Sequence, residues 1–173
     1  MSASTVSYRK LAQEQDVDAR DGAYLRQAIA LSCTAREHGN RPFCALIVGD
    51  GGEVLGQGWN SNAETGDCTA HAEVQARRDA CQRHGRDVME RATLYASGEP
   101  CVMCAGAIFW ANIRRVVYGI DDQRLRVFRG ERLDQRDVEW SCRDVFRAAP
   151  FPIDCIGPAL IEEARAPHLG AWK

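Results

Sequence analysis

Cys101 and Cys104 stand three apart in Pro100-Cys101-Val102-Met103-Cys104, and Pro100 suits the opening of a helix. Residues at i and i+3 share a helix face, so both sulfurs can point at one spot. His71, in His71-Ala72-Glu73, opens a second helix, expected over residues 70–84. Exposed N–H groups and the dipole at a helix N-terminus favour thiolate, the form zinc requires. One imidazole and two thiolates make three ligands and leave a fourth tetrahedral position open for water, the layout of a catalytic zinc. Two thiolates also cancel the charge of the ion, so water there is acidified less than at a three-histidine site and a nearby base becomes useful. Glu73 is that base. It lies about 200° around the helix from His71, poorly placed as a fellow ligand but able to reach the open side, where water and substrate meet. A closed structural site needs a fourth ligand. Only Cys68 is near in sequence, and the histidines at 38, 84 and 168 lack the spacing. A redox Cys-x-x-Cys would give Glu73 no role.

The surrounding chain must bring two helix N-termini together. Apolar residues at helical spacing (Tyr24, Leu25, Ala28, Ile29, Leu31) predict a helix over 18–38, stopped by Gly39-Asn40. A strand over 43–48, the turn Gly49-Asp50-Gly51-Gly52 and a return strand over 53–60 read as a hairpin. The turn glycines are not a phosphate cradle, because no helix with Gly-Lys-Ser or Gly-Lys-Thr follows. A polar loop over 61–69 precedes the His71 helix, which Gly85 ends. A strand over 92–97, a helix over 101–112, a strand over 114–120 and a charged loop over 121–132 come next. An irregular helix over 134–148, a strand over 151–156 and a closing helix over 158–166 complete the order. Alternating strands and helices predict an α/β domain, a mixed sheet between helical layers, over residues 18–173, behind a flexible polar N-terminal arm over 1–17.

Composition narrows the partners. Across 173 residues, 22 basic and 24 acidic side chains give a net charge of −2. A chain that lives on a phosphate backbone carries a basic surplus, so a small-molecule substrate is expected and tRNA is disfavoured. No apolar run approaches the ~20 residues of a membrane span, and the polar start lacks a secretory signal, so a cytoplasmic location is expected. In that setting eight cysteines mean metal binding or burial and not a disulfide framework.

His71-Ala72-Glu73 followed by Pro100-Cys101-Val102-Met103-Cys104 resembles the cytidine and deoxycytidylate deaminase superfamily, over residues 22–122. Asp67-Cys-Thr-Ala-His-Ala-Glu73 and Glu99-Pro-Cys-Val-Met-Cys-Ala-Gly-Ala107 are similar to the branch holding guanine deaminases, yeast-type cytosine deaminases and tRNA adenosine deaminases. The resemblance implies a cytidine-deaminase-like α/β/α sandwich, with a five-stranded mixed sheet whose last two strands are parallel. It implies Zn2+ on His71, Cys101 and Cys104, with Glu73 as the catalytic proton carrier. Asn60 matches a residue that hydrogen-bonds the base ring, and Ala72 one whose backbone N–H faces substrate. Phe43 and Trp110 match pocket-wall aromatics of guanine deaminases, through Ile108-Phe109-Trp110-Ala111. Asp121 and Asp122 fall where the branch places substrate contacts. A homodimer is implied too, and by analogy the tail His168-Leu-Gly-Ala-Trp172 folds over the site.

The expected function is hydrolytic deamination of a free nucleobase or nucleoside, with guanine or a related aminated purine ahead of cytosine-type rings. The chain departs from the branch in places. No Gly-Phe-Asp-Asp follows Asp122, and Ala-Ser-Gly-Glu-Pro-Cys stands where the tRNA-acting enzymes have Thr-Leu-Glu-Pro-Cys. Residues 158–166 carry two acids and one Arg in place of a basic helix. A tRNA adenosine deaminase is the rival reading, supported by four Arg between Arg124 and Arg132. A non-catalytic, zinc-stabilised binding protein is the rival from another class.

Overall fold

The computed structural model describes residues 11–129, 138 and 140–172. Helix α1 (Ala19–Glu37) buries Leu25, Ala28, Ile29, Ser32 and Ala35. The Asp18 carboxylate accepts the Asp21 N–H at its start, and Gly39, at φ 80°, turns the chain away at its end. Strand β1 (Cys44–Val48) is buried along its whole length and alternates between two cores: Ala45 and Ile47 join one, Leu46 and Val48 the other. That double burial explains its unbroken apolar run.

Strand β2 (Val54–Trp59) and β3 (Thr93–Gly98) flank β1, both antiparallel to it, with Leu46 opposite Gln57 on one side and Tyr95 on the other. Strand β4 (Arg115–Ile120) runs parallel to β3, and β5 (Asp154–Ile156) parallel to β4, giving the order β2-β1-β3-β4-β5. The five-stranded mixed sheet with its last two strands parallel is therefore present. The return path between β3 and β4 runs through α5 (Val102–Trp110), a crossover that forces those two strands parallel as well.

Helix α1 packs one face of the sheet together with the short α8 (Ile161–Arg165), through Leu25, Ala28, Val117 and Ala164. The other face is covered by α3 (Ala72–Cys81), α5 and α7 (Cys142–Arg147), through Ala76, Ala105, Ile108 and Phe146. This is the three-layer sandwich expected.

Local departures have local causes. The polar loop over 61–69 contains α2 (Asn62–Thr65), closed by Gly66 at φ 69°. Residues 86–91 form α4, whose Met89 is buried. The charged stretch after β4 is a helix, α6 (Asp122–Arg129), with Leu125 inward, Val127 outward and an Arg126–Asp122 pair one turn apart. The irregular helix expected over 134–148 is α7 alone among the described residues, capped by Ser141 and Asp144. Pro150 and Pro152 help confine the fifth strand to three residues. The closing helix shortens to α8 and a 3-10 turn at Ala166–His168. Residues 1–10 of the arm lie outside the described chain. Residues 11–17 adopt neither helix nor strand, but Gln15 N–H donates to the Pro158 carbonyl at 2.7 Å and Glu14 accepts the Ile161 N–H at 2.8 Å.

The placement of α3 depends on two glycines in β2. A Cβ at Gly58 would lie 2.4 Å from the Ala76 nitrogen and 2.8 Å from the Ala72 carbonyl oxygen; one at Gly56 would lie 2.6 Å from the Ala76 carbonyl oxygen. All three are helix backbone atoms and cannot rotate away. Gly58→Ala is expected to lower the unfolding free energy by about 2–3 kcal/mol in urea titration and to weaken zinc retention, because the His71 end of α3 must move with the helix. Gly106→Ala is the control: nothing lies within 4 Å of its Cβ, and in the interior of α5 it should be neutral or stabilising by about 0.5–1 kcal/mol.

Candidate active site

His71 is the N-cap residue of α3, and Cys101 the N-cap residue of α5, both in extended conformation. The α5 helix begins one residue later than the sequence suggests, so Pro100 precedes the cap. Cys104 sits in the first turn of α5 and is fully buried. His71 Nδ1 is 3.6 Å from Cys101 Sγ and 3.5 Å from Cys104 Sγ, and the three donor atoms lie within 4.8 Å of one another. With Zn–S near 2.3 Å and Zn–N near 2.0–2.1 Å, tetrahedral geometry gives an N···S edge of roughly 3.5 Å. The three side chains fit zinc. Among the described residues no fourth ligand joins the group.

Between the two thiols the negative charge falls on Cys101. The Cys104 S–H hydrogen-bonds to it and, with His71, draws its pKa down to about 4 against the effect of burial. The same pairing, with burial, holds Cys104 far above the ordinary thiol value, and the bond to Cys101 raises His71. Glu73 is 8% exposed and outside the ligand group. Burial, then the charge on Cys101, pushes its carboxyl up to about 7, and a divalent cation on the three ligands would pull it back down. Burial and the cation thus act on the carboxyl in opposite directions, which suits a group that takes up and returns a proton.

His71, Glu73 and Cys101 face a cavity of about 700 Å³, within the range of small-molecule sites, while Cys104 is buried. Phe43 forms one wall and the indole of Trp172 another, with ring centroids 6.1 Å apart. Asn60, 4% exposed, ends β2 in the cavity wall, where its amide donates to the Asn62 side chain. Ala72 lines the cavity at the first turn of α3, where helix N–H groups lack intrahelical acceptors. Asp122 also lines it, its N–H donating to Glu99 Oε2 at 3.1 Å and its carboxylate accepting from Arg126.

Two residues expected at the substrate lie elsewhere. Asp121 is buried, accepts the Arg124 N–H at 2.9 Å, pairs with the Arg124 guanidinium and borders a smaller adjoining cavity, so it anchors the start of α6. Trp110 is 72% exposed and lines no part of the main cavity. Cys104, Ala105 and Ile108 mark the inward face of α5, and Trp110 falls about 200° around the helix from Ile108, so its ring rests against Phe109 on the outside. Arg41, Glu99, Leu125 and Trp172 line the cavity beyond the residues singled out in the sequence. Glu99 was visible beside Pro100, and Trp172 in the tail expected to fold over. Leu125 and Arg41 carried no signal.

The tail is latched. Arg36 donates to the carbonyls of Pro167 and Leu169 at 3.1 and 2.9 Å, and the His168 ring stacks against Trp172 at 5.8 Å.

Residues 18–120 match the cytidine and deoxycytidylate deaminase zinc-binding region, and the chain belongs to that family. It is 38% identical to a probable cytosine deaminase of Schizosaccharomyces pombe over 91% of this chain and 95% of that one. It is 41% identical to a guanine deaminase of Bacillus subtilis over 57% of this chain and 63% of that one. A structure solved in work on A-to-I editing by tRNA:A34 deaminases is 32% identical, with a TM-score of 0.61, covering 80% of this chain and 98% of that one. The protein is accordingly a deaminase, and no described helix is long and apolar enough to cross a membrane.

Proposed function

We propose that the protein is a zinc-dependent hydrolytic deaminase of a free aminated base or nucleoside, which converts a ring C–NH2 to C=O with release of ammonia. The observation that carries this reading is one cavity lined by Glu73, by His71 and Cys101 of the ligand group, and by the aromatic rings of Phe43 and Trp172. Zinc on those three ligands supplies the Lewis-acid charge that makes water nucleophilic near neutral pH. Glu73 takes a proton from the attacking water and delivers it to the ring nitrogen beside the amino-bearing carbon; it then takes the proton of the newly attached hydroxyl and passes it to the departing amine, so that C=O forms as the C–N bond breaks and ammonia leaves. Asn60 and the Ala72 N–H hold the ring edge, and Phe43 and Trp172, packed edge to face, give the ring apolar contact and exclude water.

A purine preference rests on Trp110 and on the Glu99-Pro100-Cys101 form; Trp110 lies outside the cavity wall, so cytosine-type rings move ahead of guanine. The probable cytosine deaminase, matched over nearly its whole length, supports the same order. The tRNA reading is favoured by the A-to-I structure and by the arginines of α6. Arg124 and Arg126, however, are engaged by Asp121 and Asp122, which leaves less cationic surface for phosphates. A homodimer remains part of this proposal, and exposed Trp110, packed with Phe109 and, beyond it, Phe151, offers an aromatic face for it.

Ammonia release should be assayed over cytosine, guanine, cytidine, adenosine and aminated triazines. Turnover of at least one small ring is expected, changing little between about 50 and 300 mM salt. Inosine formed in tRNA, with every small ring inert, would overturn the small-substrate reading in favour of its rival.

A further inference from the structure

We infer that Cys142 and Cys155 are a reversible dithiol–disulfide couple, a redox-modification site joined to the deamination cavity through Glu99. Cys142 is the first residue of α7 and Cys155 the middle residue of β5, thirteen positions apart in sequence, yet their sulfurs lie 3.8 Å from each other. A disulfide needs ~2.05 Å, and the gap that remains is within reach of side-chain rotation. Neither thiol takes part in the chemistry proposed above.

The two sulfurs differ as a redox pair requires. Cys142 is fully buried, whereas Cys155 is partly exposed and lines an open cleft of about 720 Å³ bounded by Arg143, Phe146 and Phe151. A small oxidant can therefore reach Cys155 first. The Arg143 guanidinium is fixed beside it by hydrogen bonds to the Cys155 carbonyl at 2.6 Å and the Gly157 carbonyl at 2.7 Å. The hydrogen bond from Cys142 and, against burial, this cation favour thiolate at Cys155, while the same hydrogen bond and burial hold Cys142 as the thiol. Two thiols sharing a core by packing alone would require neither the cation nor the cleft.

With a peroxide as oxidant, the Cys155 thiolate attacks one peroxide oxygen. The S–O bond forms, the O–O bond breaks, and the departing oxygen leaves as water after taking up a proton. The Cys142 sulfur then attacks the sulfenic sulfur; the S–S bond forms, the S–O bond breaks, and the hydroxyl leaves with the Cys142 proton as a second water. The cysteine pair loses two electrons, and the peroxide gains them. Cys142 Sγ also lies 3.7 Å from Glu99 Oε1, and Glu99 lines the deamination cavity. Closing the disulfide draws that sulfur toward Cys155, so the wall beside Glu99 differs between the two redox states.

The test uses the zinc-loaded full chain, so that Cys101 and Cys104 are held by the metal. Hydrogen peroxide is raised until exposed Cys33 and Cys81 react, then the protein is denatured, alkylated and digested with trypsin. The expected product is the peptide 137–143 disulfide-linked to 148–165, abolished by dithiothreitol and absent from Cys155→Ser. Cys142 and Cys155 recovered as separate alkylated peptides, or a sulfenic adduct persisting on Cys155 without the link, would overturn the couple. The readout is a mass, independent of turnover and of which ring is deaminated.

Discussion

Glu73→Gln is expected to keep about one zinc per chain and an unaltered fold while ammonia release falls by about 10²–10⁴-fold or more. Glutamine fills nearly the same space in a pocket where the side chain is 8% exposed, and it removes a carboxylate whose charged form burial disfavours. Stability therefore has no reason to drop. The loss is confined to proton transfer, because an amide can neither take a proton from water nor return one to the ring. Steady-state turnover with metal analysis on the same sample checks this. Near-normal turnover would remove Glu73 from the mechanism and would favour a protein that holds zinc for structure alone.

The double substitution Cys101→Ala, Cys104→Ala should abolish both zinc content and activity and lower the melting midpoint by on the order of 10 °C. The stability effect follows from where the ligands sit. Cys101 caps α5 and His71 caps α3, so an ion held by both ties two helix N-termini across one face of the sheet. Binding that exists only in the folded chain adds its free energy to folding. The domain keeps its two apolar cores without the metal, so a shifted but still cooperative transition is expected, not an unfolded chain. Full zinc retention in the double mutant would refute this ligand set. A chelator applied to the unmutated protein should reproduce the shift, and restored zinc should reverse it.

Much of the sandwich was legible in the sequence because strand β1 is apolar at every position and the longest helix buries one face in regular steps. The ligand group was legible for a related reason. Spacing within a helix turn is local, so Cys101 and Cys104 announce themselves, and His71 needs only to start a neighbouring helix. The misreadings share a different cause. Between Asp121 and Arg129 charge density hid a helix whose ion pairs are one turn apart and whose one deeply buried apolar residue is Leu125. Trp110 was assigned by its neighbours Ile108 and Ala111, yet a helix turns about 100° per residue, and two steps from Ile108 carry the side chain from the core to the surface. The cavity walls were the least visible part. Leu125 and Trp172 join the cavity that Glu73 lines only through tertiary folding, and no short-range spacing encodes that.

The clearance at Gly56 and Gly58 divides the site into two mutational regimes. Any side chain there pushes on helix backbone, so the α3 end that carries His71 and Glu73 tolerates almost no drift. Phe43 apart, the large apolar side chains lining the cavity belong to peripheral elements: Leu125 on α6 and Trp172 on a tail held by Arg36 and by ring contacts. Substitutions there alter what fits without touching the machinery below. A lineage built this way can exchange one aminated ring for another while inheriting a single reaction, and relatives named for cytosine, guanine and tRNA adenosine are the diversity such a partition would leave behind.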